Sequence, residues 1–407
     1  MQALQNQLDQ ENIISKAYYD IIIVGGGCAG LSLAYHISKE ETLSDLKIMI
    51  IEPDDKTDND KTWCFWTDKP FPFESEVSGK WKKIAFLSDE MQKTFDLGKF
   101  SYFKIDSIDF YRKVRNALAE CEHVSIVNEK VIDIKAVGDE TVLVHTESGC
   151  FRGGKVFDSA IGKGWIEPLK DQYNVLLQHF EGWKIKTSAP TFDPEVMQMF
   201  DFRIPQNNEV RFVYLIPSST TEALVEFTVF STDLLGESAY KKQLQSYITK
   251  RLNLSEFTIL EKESGVIPMT DVPLKQQEQG VPVYYIGTKG GMCKPSTGYA
   301  FLRIQRDCKL IVSALVRHQG IGQLRRLPKR FKLYDALMLD IMKRDGGRIA
   351  SIFTTLFREN QITTLLRFLD EQTNFWEELK IMASVPSAPF MKSIVRLVTR
   401  TLKKGKW

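Results

Sequence analysis

Gly25, Gly27 and Gly30 occur in the stretch VGGGCAG with the spacing G-x-G-x-x-G, directly after the apolar run YYDIIIV. In such a turn the first glycine permits a tight reversal and the second lets the backbone approach a pyrophosphate. The third lets the following helix pack close to the strand. The anion rests on the helix N-terminus, where free N–H groups and the dipole favour negative charge. Glu52 ends the next strand, LKIMIIEP, where a carboxylate can accept both ribose hydroxyls of an adenosine. The combination predicts a dinucleotide site.

The downstream sequence selects the dinucleotide. A simple NAD-dependent dehydrogenase continues as regularly alternating strands and helices. Here residues 60–120 break into aromatic-rich strand segments around one helix, SIDFYRKVRNALAEC. A second glycine-rich turn arrives late, in YYIGTKGGMCKPSTGYAF, between a strand at 283–286 and a helix from about Tyr299. Gly287, Gly290, Gly291, Pro295, Thr297 and Gly298 lie in it and are its candidate cofactor contacts. A second turn of this kind closes over the other half of a long dinucleotide, which favours FAD.

A sheet must hold both turns. YYDIIIV is short, apolar and β-branched, as a buried parallel strand is. CAGLSLAYHISKE follows with Leu31, Ala34, Tyr35 and Ile37 along one helical side, and LKIMIIEP returns as a strand, so a right-handed βαβ unit is expected. Residues 124–162 read as a β-meander rejoining that sheet. From about 170 to 265 longer alternating strands, such as EVRFVYLIPSS and EALVEFTVFS, predict an antiparallel sheet facing a cavity. The chain from about 328 is mostly helical. The fold class is α/β in the mixed α+β sense: a Rossmann-like FAD-binding domain, an interleaved antiparallel-sheet substrate domain and a helical C-terminal region. Segments 18–60, 121–170 and 271–320 are expected to build the first, 61–120 and 171–270 the second, and 321–407 the third.

Bulk properties agree with that division. The chain has 407 residues, more than one compact core usually serves. A net charge of +2 gives no field that would attract nucleic acid. Six scattered cysteines, with no CxxC pair and no ligand-like histidine spacing, read as reduced cytosolic thiols, and no metal site is expected. The first 17 or so residues read as a polar leader without the layout of a secretory signal, and no apolar run is long enough to span a bilayer.

NDKTWCFW, residues 59–66, is unusual cargo for a loop: two tryptophans, a phenylalanine and a cysteine. Together with RFVYLIP, ALVEFTVFS and KPSTGYAF it resembles the lycopene β-cyclases of bacterial carotenoid pathways, flavoproteins of the same broad fold class as aromatic hydroxylases. The likeness runs from Asp20 to about Phe390 in the family's order and includes FLDEQTNFWEELKIMASVPSAPF. Three positions depart from the family pattern. Asp158, in FDSAIG, keeps the acid of a motif that usually continues to an arginine. Gly287-Thr288 stands where many relatives have Gly-Asp. Glu226-Phe227-Thr228 leaves one carboxylate where relatives often have two.

The resemblance implies closure of the linear ψ ends of lycopene into β-ionone rings, through γ-carotene to β-carotene, with no net redox change. A proton adds to the terminal double bond, the internal double bond attacks the cation, and a proton leaves. That sequence needs a carboxylic acid whose pKa is raised by burial. Glu226 is the candidate, since alternation places it with Leu224, Thr228 and Phe230 on a largely apolar strand face. A carbocation needs aromatic faces rather than water, and Trp63, Phe65, Trp66 and Phe230 are the candidate pocket residues. Alternation separates Trp63 and Phe65 from Cys64 and Trp66, so not all can face a substrate; packing between two sheets is their other reading. In the family the flavin works in its reduced form with NAD(P)H as reductant, which leaves Glu226 and reduced FAD as rival proton donors.

Lycopene and related acyclic carotenes live in bilayers, so the resemblance also implies a cytoplasmic protein docked peripherally on a membrane surface. KSIVRLVTRTLKKGKW supplies a basic amphipathic helix with Ile394, Leu397, Val398 and Leu402 on one side. Lys392, Arg396, Arg400 and Lys403 fall on the other, and Trp407 ends it. LRRLPKRFK is a second cationic patch. The competing readings are a redox flavoenzyme of the same fold acting on a prenyl lipid, and a non-catalytic carotenoid- or flavin-binding protein.

Overall fold

The structure is a computed structural model that describes residues 17–162, 165–278, 280–321 and 328–403. The leader, residues 324–327 of the second cationic patch, and Trp407 lie outside the described residues. The chain opens with β1 (Tyr18–Val24), α1 (Cys28–Ser38) and β2 (Ile48–Ile51). Five short strands follow: β3 (Thr62–Thr67), β4 (Val77–Trp81), β5 (Lys83–Ser88), β6 (Met91–Asp96) and β7 (Ser101–Asp106). After α2 (Ser107–Ala119) come β8 (Val124–Val127), β9 (Val131–Val137), β10 (Thr141–Thr146) and β11 (Cys150–Asp158). The long strands β12 (Val175–Lys186), β13 (Val196–Asp201), β14 (Val210–Pro217) and β15 (Glu222–Ser231) lead to α3 (Glu237–Lys250) and β16 (Thr258–Thr270). β17 (Val283–Tyr285) precedes α4 (Phe301–Val316). The remainder is helical: α5 (Lys329–Asp345), α6 (Ile349–Glu359), α7 (Ile362–Leu369), α8 (Phe375–Ser384) and α9 (Ser387–Lys403).

The first sheet runs β8-β2-β1-β11-β10-β9, with β17 also paired to β11. β1 lies parallel to both β2 and β11 at its centre. Its residues Ile21, Ile22 and Ile23 are fully buried because both faces are covered. Ile21 and Ile23 pack with α1, α2 and α4, while Ile22 and Val24 face Val142, Val144 and Val156. Each such side chain contributes roughly 1.5–3 kcal/mol relative to exposure. This double burial is why the run reads as continuously apolar rather than alternating.

The second sheet runs β16-β12-β15-β14-β13-β5-β6, and the third, of three strands, runs β3-β7-β4. In the second sheet β13 and β5 pair in parallel, against the antiparallel pattern expected of it. The reason is that β5 and β6 come from the earlier aromatic segment and join from outside residues 171–270. β15 decides which groups meet which side. Ala223, Val225, Phe227 and Val229 pack in a core with Leu244, Tyr247 and Ile248 of α3. Leu224 and Phe230, two and four residues from Glu226 and Thr228 in alternation, belong to the opposite core, shared with the C-terminal helices.

Candidate active site

Gly25 adopts a left-handed φ of +97°, and a Cβ on Gly30 would lie 1.9 Å from the Gly25 carbonyl oxygen, so turn and helix are in direct backbone contact. A Cβ on Gly27, by contrast, would meet no protein atom within 4 Å: the turn opens onto space at the N-terminus of α1. Glu52 braces this loop. Its Oε2 accepts the Gly26 N–H at 2.6 Å, and its Oε1 accepts the Asp54 N–H at 3.1 Å.

The second turn approaches the same space. Gly287 and Gly298 have φ of +62° and +74°, and a Cβ on Gly298 would lie 2.1 Å from Gln178 Oε1. Gln178 Oε1 and Thr297 Oγ1 are buried without a hydrogen-bond partner among the described residues. Gly27, Cys28, Gly287, Thr297, Gly298 and Glu226 all line one cavity of about 410 Å³. An open helix N-terminus and orphaned polar atoms on one cavity suit a flavin dinucleotide, whose pyrophosphate would be held at Gly25–Gly30 and whose polar groups Gln178 and Thr297 could meet. Gly290, Gly291 and Pro295 are placed differently from the sequence expectation. They line a neighbouring cavity of about 370 Å³ that shares Pro268, Thr288 and Cys293 with the first. Gly290 is a glycine for packing, since its Cβ would come within 2.1 Å of the Tyr285 carbonyl oxygen.

Glu226 opens onto the far end of the cavity, and Thr228 Oγ1 donates to its Oε1 at 2.7 Å. The sheet register brings it a partner that sequence reasoning missed. Gly182 of β12 pairs with Glu226 on one side and with Glu263 of β16 on the other. Gly182 has no side chain to separate them, and a Cβ there would stand 3.1 Å from Glu263 Cγ. Glu263 Oε2 accepts the Thr62 hydroxyl at 2.6 Å. Burial, and then the neighbouring Glu263, push the Glu226 carboxyl well above its ordinary value of 4.5. Burial also raises Glu263, opposed by the Thr62 hydrogen bond. The available signal was the alternation of KESGVIP, which puts Glu263, Gly265 and Ile267 on one strand face.

The aromatic block is only partly where it was expected. Trp63 and Cys64 line the cavity. Phe65 does not; it stacks on Phe301 at 5.0 Å in the core of the first sheet. Trp66 also turns away, packing edge-on to Tyr299 at 4.8 Å and donating its indole N–H to the Leu366 carbonyl at 3.1 Å. Phe230 packs against Phe212 at 5.7 Å, again in a core rather than at the cavity. All three corrections have one cause: these positions lie where two layers must be filled, and large rings fill them. The cavity's aromatic wall comes instead from Trp63, Tyr102, Phe180, Tyr214, Tyr299 and Phe301. Burial pushes the Tyr102, Tyr214 and Tyr299 hydroxyls up, which keeps them neutral. Burial raises the Cys64 thiol as well and pushes Cys28 up to about 12, so neither is a thiolate nucleophile.

The family model for lycopene cyclase proteins matches residues 20–395. The chain belongs to the lycopene cyclase family. It is 26% identical to the chloroplastic neoxanthin synthase of Solanum tuberosum over 77% of this chain, and spans 63% of that relative's length. It is 24% identical to the lycopene beta-cyclase of Pseudescherichia vulneris, covering 69% of this chain and 70% of that one. Among solved structures, a flavoprotein/dehydrogenase from Cytophaga hutchinsonii superposes with TM-score 0.63 at 11% identity, covering 96% of this chain and 100% of its own. A geranylgeranyl bacteriochlorophyll reductase-like protein from Thermoplasma acidophilum gives 0.59 at 13% identity, covering 94% and 99%. These likenesses give the fold, a mixed α/β flavoprotein architecture with a helical C-terminal region. In this lycopene cyclase family member Phe227 follows Glu226 directly, at the position where the resemblance implies a second carboxylate. Phe227 is fully buried on the α3 side of the sheet, so an acid at that position would face away from the cavity. The carboxyl group beside Glu226 on its own face of the sheet is Glu263, across Gly182.

Proposed function

We propose that this protein closes the ψ ends of lycopene into β-ionone rings, giving γ-carotene and then β-carotene, by proton-initiated carbocation cyclisation without net redox change. The observation that carries this reading is Glu226: a carboxyl group raised by burial, at the end of a cavity walled by aromatic rings and bounded by both glycine turns. A carboxyl raised by burial keeps its proton to higher pH than an exposed one and can donate it to an alkene. Tyr214, directly opposite Glu226 in the sheet register, and Tyr299 offer ring faces to the cation while excluding water. FAD is the proposed cofactor, held by the turns at Gly25–Gly30 and Gly287–Gly298 and kept reduced by NAD(P)H. When bound and reduced it supplies an electron-rich surface beside the cation.

Because the proposed substrates are bilayer solutes, the same reading has the protein dock on a membrane from the cytoplasmic side. α8 and α9 meet at a bend of 114°, and no single helix among the described residues is long and apolar enough to cross a bilayer. On these two helices Trp376, 71% exposed, and Val395, 62% exposed, face solvent, as do Phe375, Met391 and Leu402. That apolar ridge supports docking from one side. It differs in detail from the helix face read from sequence. Leu397 packs inward, and Arg396 and Arg400 are held in ion pairs to Asp340 and Asp271 at 2.5 and 2.6 Å. The ridge is therefore led by aromatics, with fewer free cations than the sequence suggests.

The test is expression in bacteria that accumulate lycopene, followed by chromatography of the pigments, with Glu226→Gln alongside. Conversion to β-carotene that disappears in the variant is the expected result. Unchanged lycopene beside a folded, flavin-loaded protein that consumes NADPH in proportion to a prenyl-lipid product would replace this reading with a redox one.

A further inference from the structure

We propose that Glu263 is the positioning residue of the acid: it shares one proton with Glu226 above Gly182, Glu226 carrying it toward the cavity and Glu263 standing behind as the carboxylate. The inference deepens the cyclase reading and rests on it for the chemical step, whereas the shared proton is a property of the protein itself.

The geometry comes from three strands. Glu226 and Glu263 flank Gly182 in the same row, so both side chains rise from the same sheet face, and over Gly182 only Leu224 Cδ1 and Glu263 itself come close. Glu263 Oε1 is buried and has no hydrogen-bond partner among the described residues, while its Oε2 is engaged by Thr62. A proton held between the two carboxyls supplies the donor that Oε1 lacks. Two buried carboxyls in side-chain contact ionise together only at a cost, so they titrate as a pair and rest with one proton between them.

The surroundings decide which member keeps the proton. Cys64 from β3, Tyr214 from β14 and Tyr299 face Glu226, and all three are neutral groups raised by burial. Lys104 and Asp106 of β7 face Glu263, paired with each other at 2.9 Å; Lys104 favours a charge on Glu263 more strongly than Asp106 opposes it. Thr62 donates only to Glu263. Glu263 is thus the charged partner and Glu226 the acid. Glu263 does not line the cavity, so it acts through Glu226 rather than on substrate.

The step balances. The Glu226 O–H bond breaks as a C–H bond forms at the terminal double bond. After ring closure a ring C–H bond breaks and an O–H bond forms again on Glu226, with no electron gained or lost. While Glu226 is deprotonated two carboxylates lie side by side, and their repulsion makes Glu226 the stronger base for that returning proton.

The experiment is the pH dependence of lycopene conversion by the full flavin-loaded protein, with Glu263→Gln and Glu263→Asp. The wild-type rate falls on the alkaline side as Glu226 loses its proton. Glu263→Gln is expected to move that limb to lower pH by about one pH unit, with Glu263→Asp staying near wild type. A rate loss in Glu263→Gln with the limb unmoved would overturn the proposal in favour of a purely structural role. Infrared spectroscopy provides a readout that needs no turnover. The carbonyl stretch of a protonated carboxylic acid is expected at neutral pH in wild type, lost in Glu226→Gln, and titrating at lower pH in Glu263→Gln. Its absence from folded wild type overturns the shared proton whether or not lycopene is converted. Its presence in a protein that converts no lycopene overturns the proposed function and leaves the shared proton standing.

Discussion

The Lys289 ammonium pairs with the Asp158 carboxylate, so the second glycine turn is pinned to the end of β11, beside the first turn. Asp158 is buried and also accepts the Ala160 N–H at 2.9 Å. The cation that neutralises Asp158 thus comes from a distant part of the chain.

Removing that cation strands a buried carboxylate. Lys289→Met is expected to lower stability by about 2 kcal/mol in urea unfolding, less than a fully buried pair because the lysine is partly exposed. Adding Asp158→Asn should restore part of the loss, as coupled neighbours do. Equal stability of Lys289→Met and wild type would mean that the pair holds nothing.

Gly27→Ala separates the ligand from the fold. The added methyl meets no protein atom, so the flavin-free protein should change by less than about 1 kcal/mol. It does occupy the space a pyrophosphate needs, and flavin affinity should fall at least about tenfold, or roughly 1.4 kcal/mol. Fluorescence titration of the flavin-free protein measures it; unchanged affinity would move the pyrophosphate elsewhere.

The raised Glu226 carboxyl costs stability in a defined direction. Above its ordinary value of 4.5 the folded state binds more protons than the unfolded chain, so stability falls as pH rises through the window up to the raised value. Glu226→Gln lacks this loss. Its melting temperature should match wild type near pH 4 and exceed it by about 2 °C or more at pH 8, and a gap independent of pH would show an uncharged effect.

Phe375→Ser combined with Trp376→Ser removes the tip of the outward ridge. Each aromatic contributes roughly 1.5–3 kcal/mol when buried, so binding to sedimented anionic vesicles should drop by more than about tenfold. Conversion of detergent-solubilised lycopene should stay within about twofold of wild type. Undiminished vesicle binding would assign docking to another surface.

The glycine turn at 25–30 was legible because its chemistry is local: spacing, strand and helix lie within a few residues. Glu226 was legible for a similar reason, as a charge in an apolar alternating run. Glu263 was not, because its meaning depends on which strand separates it from Glu226 and on Gly182 being the residue in that row. Phe65, Trp66 and Phe230 show the converse. Their types announce burial but not which of two layers they fill, and the cavity wall includes Tyr102, Tyr214 and Tyr299, which the sequence did not single out as wall residues. Arg396 and Arg400 looked free on a helical wheel, and only the tertiary placement of Asp340 and Asp271 shows that they are engaged.

The pairing of β17 with β11 also sets an order of events during synthesis. β1, α1 and β2 leave the ribosome early, but the strand that leads into the second glycine turn exists only once the chain has passed Tyr285. Until then the edge of β11 at Val156–Asp158 is bare, and the exposed apolar rows of the first sheet have no cover from α4. Completion of the second glycine turn is consequently a late event in synthesis, and a ribosome that stalls within the long middle sheet releases a chain with an open parallel edge, the kind of surface that chaperones exist to shield.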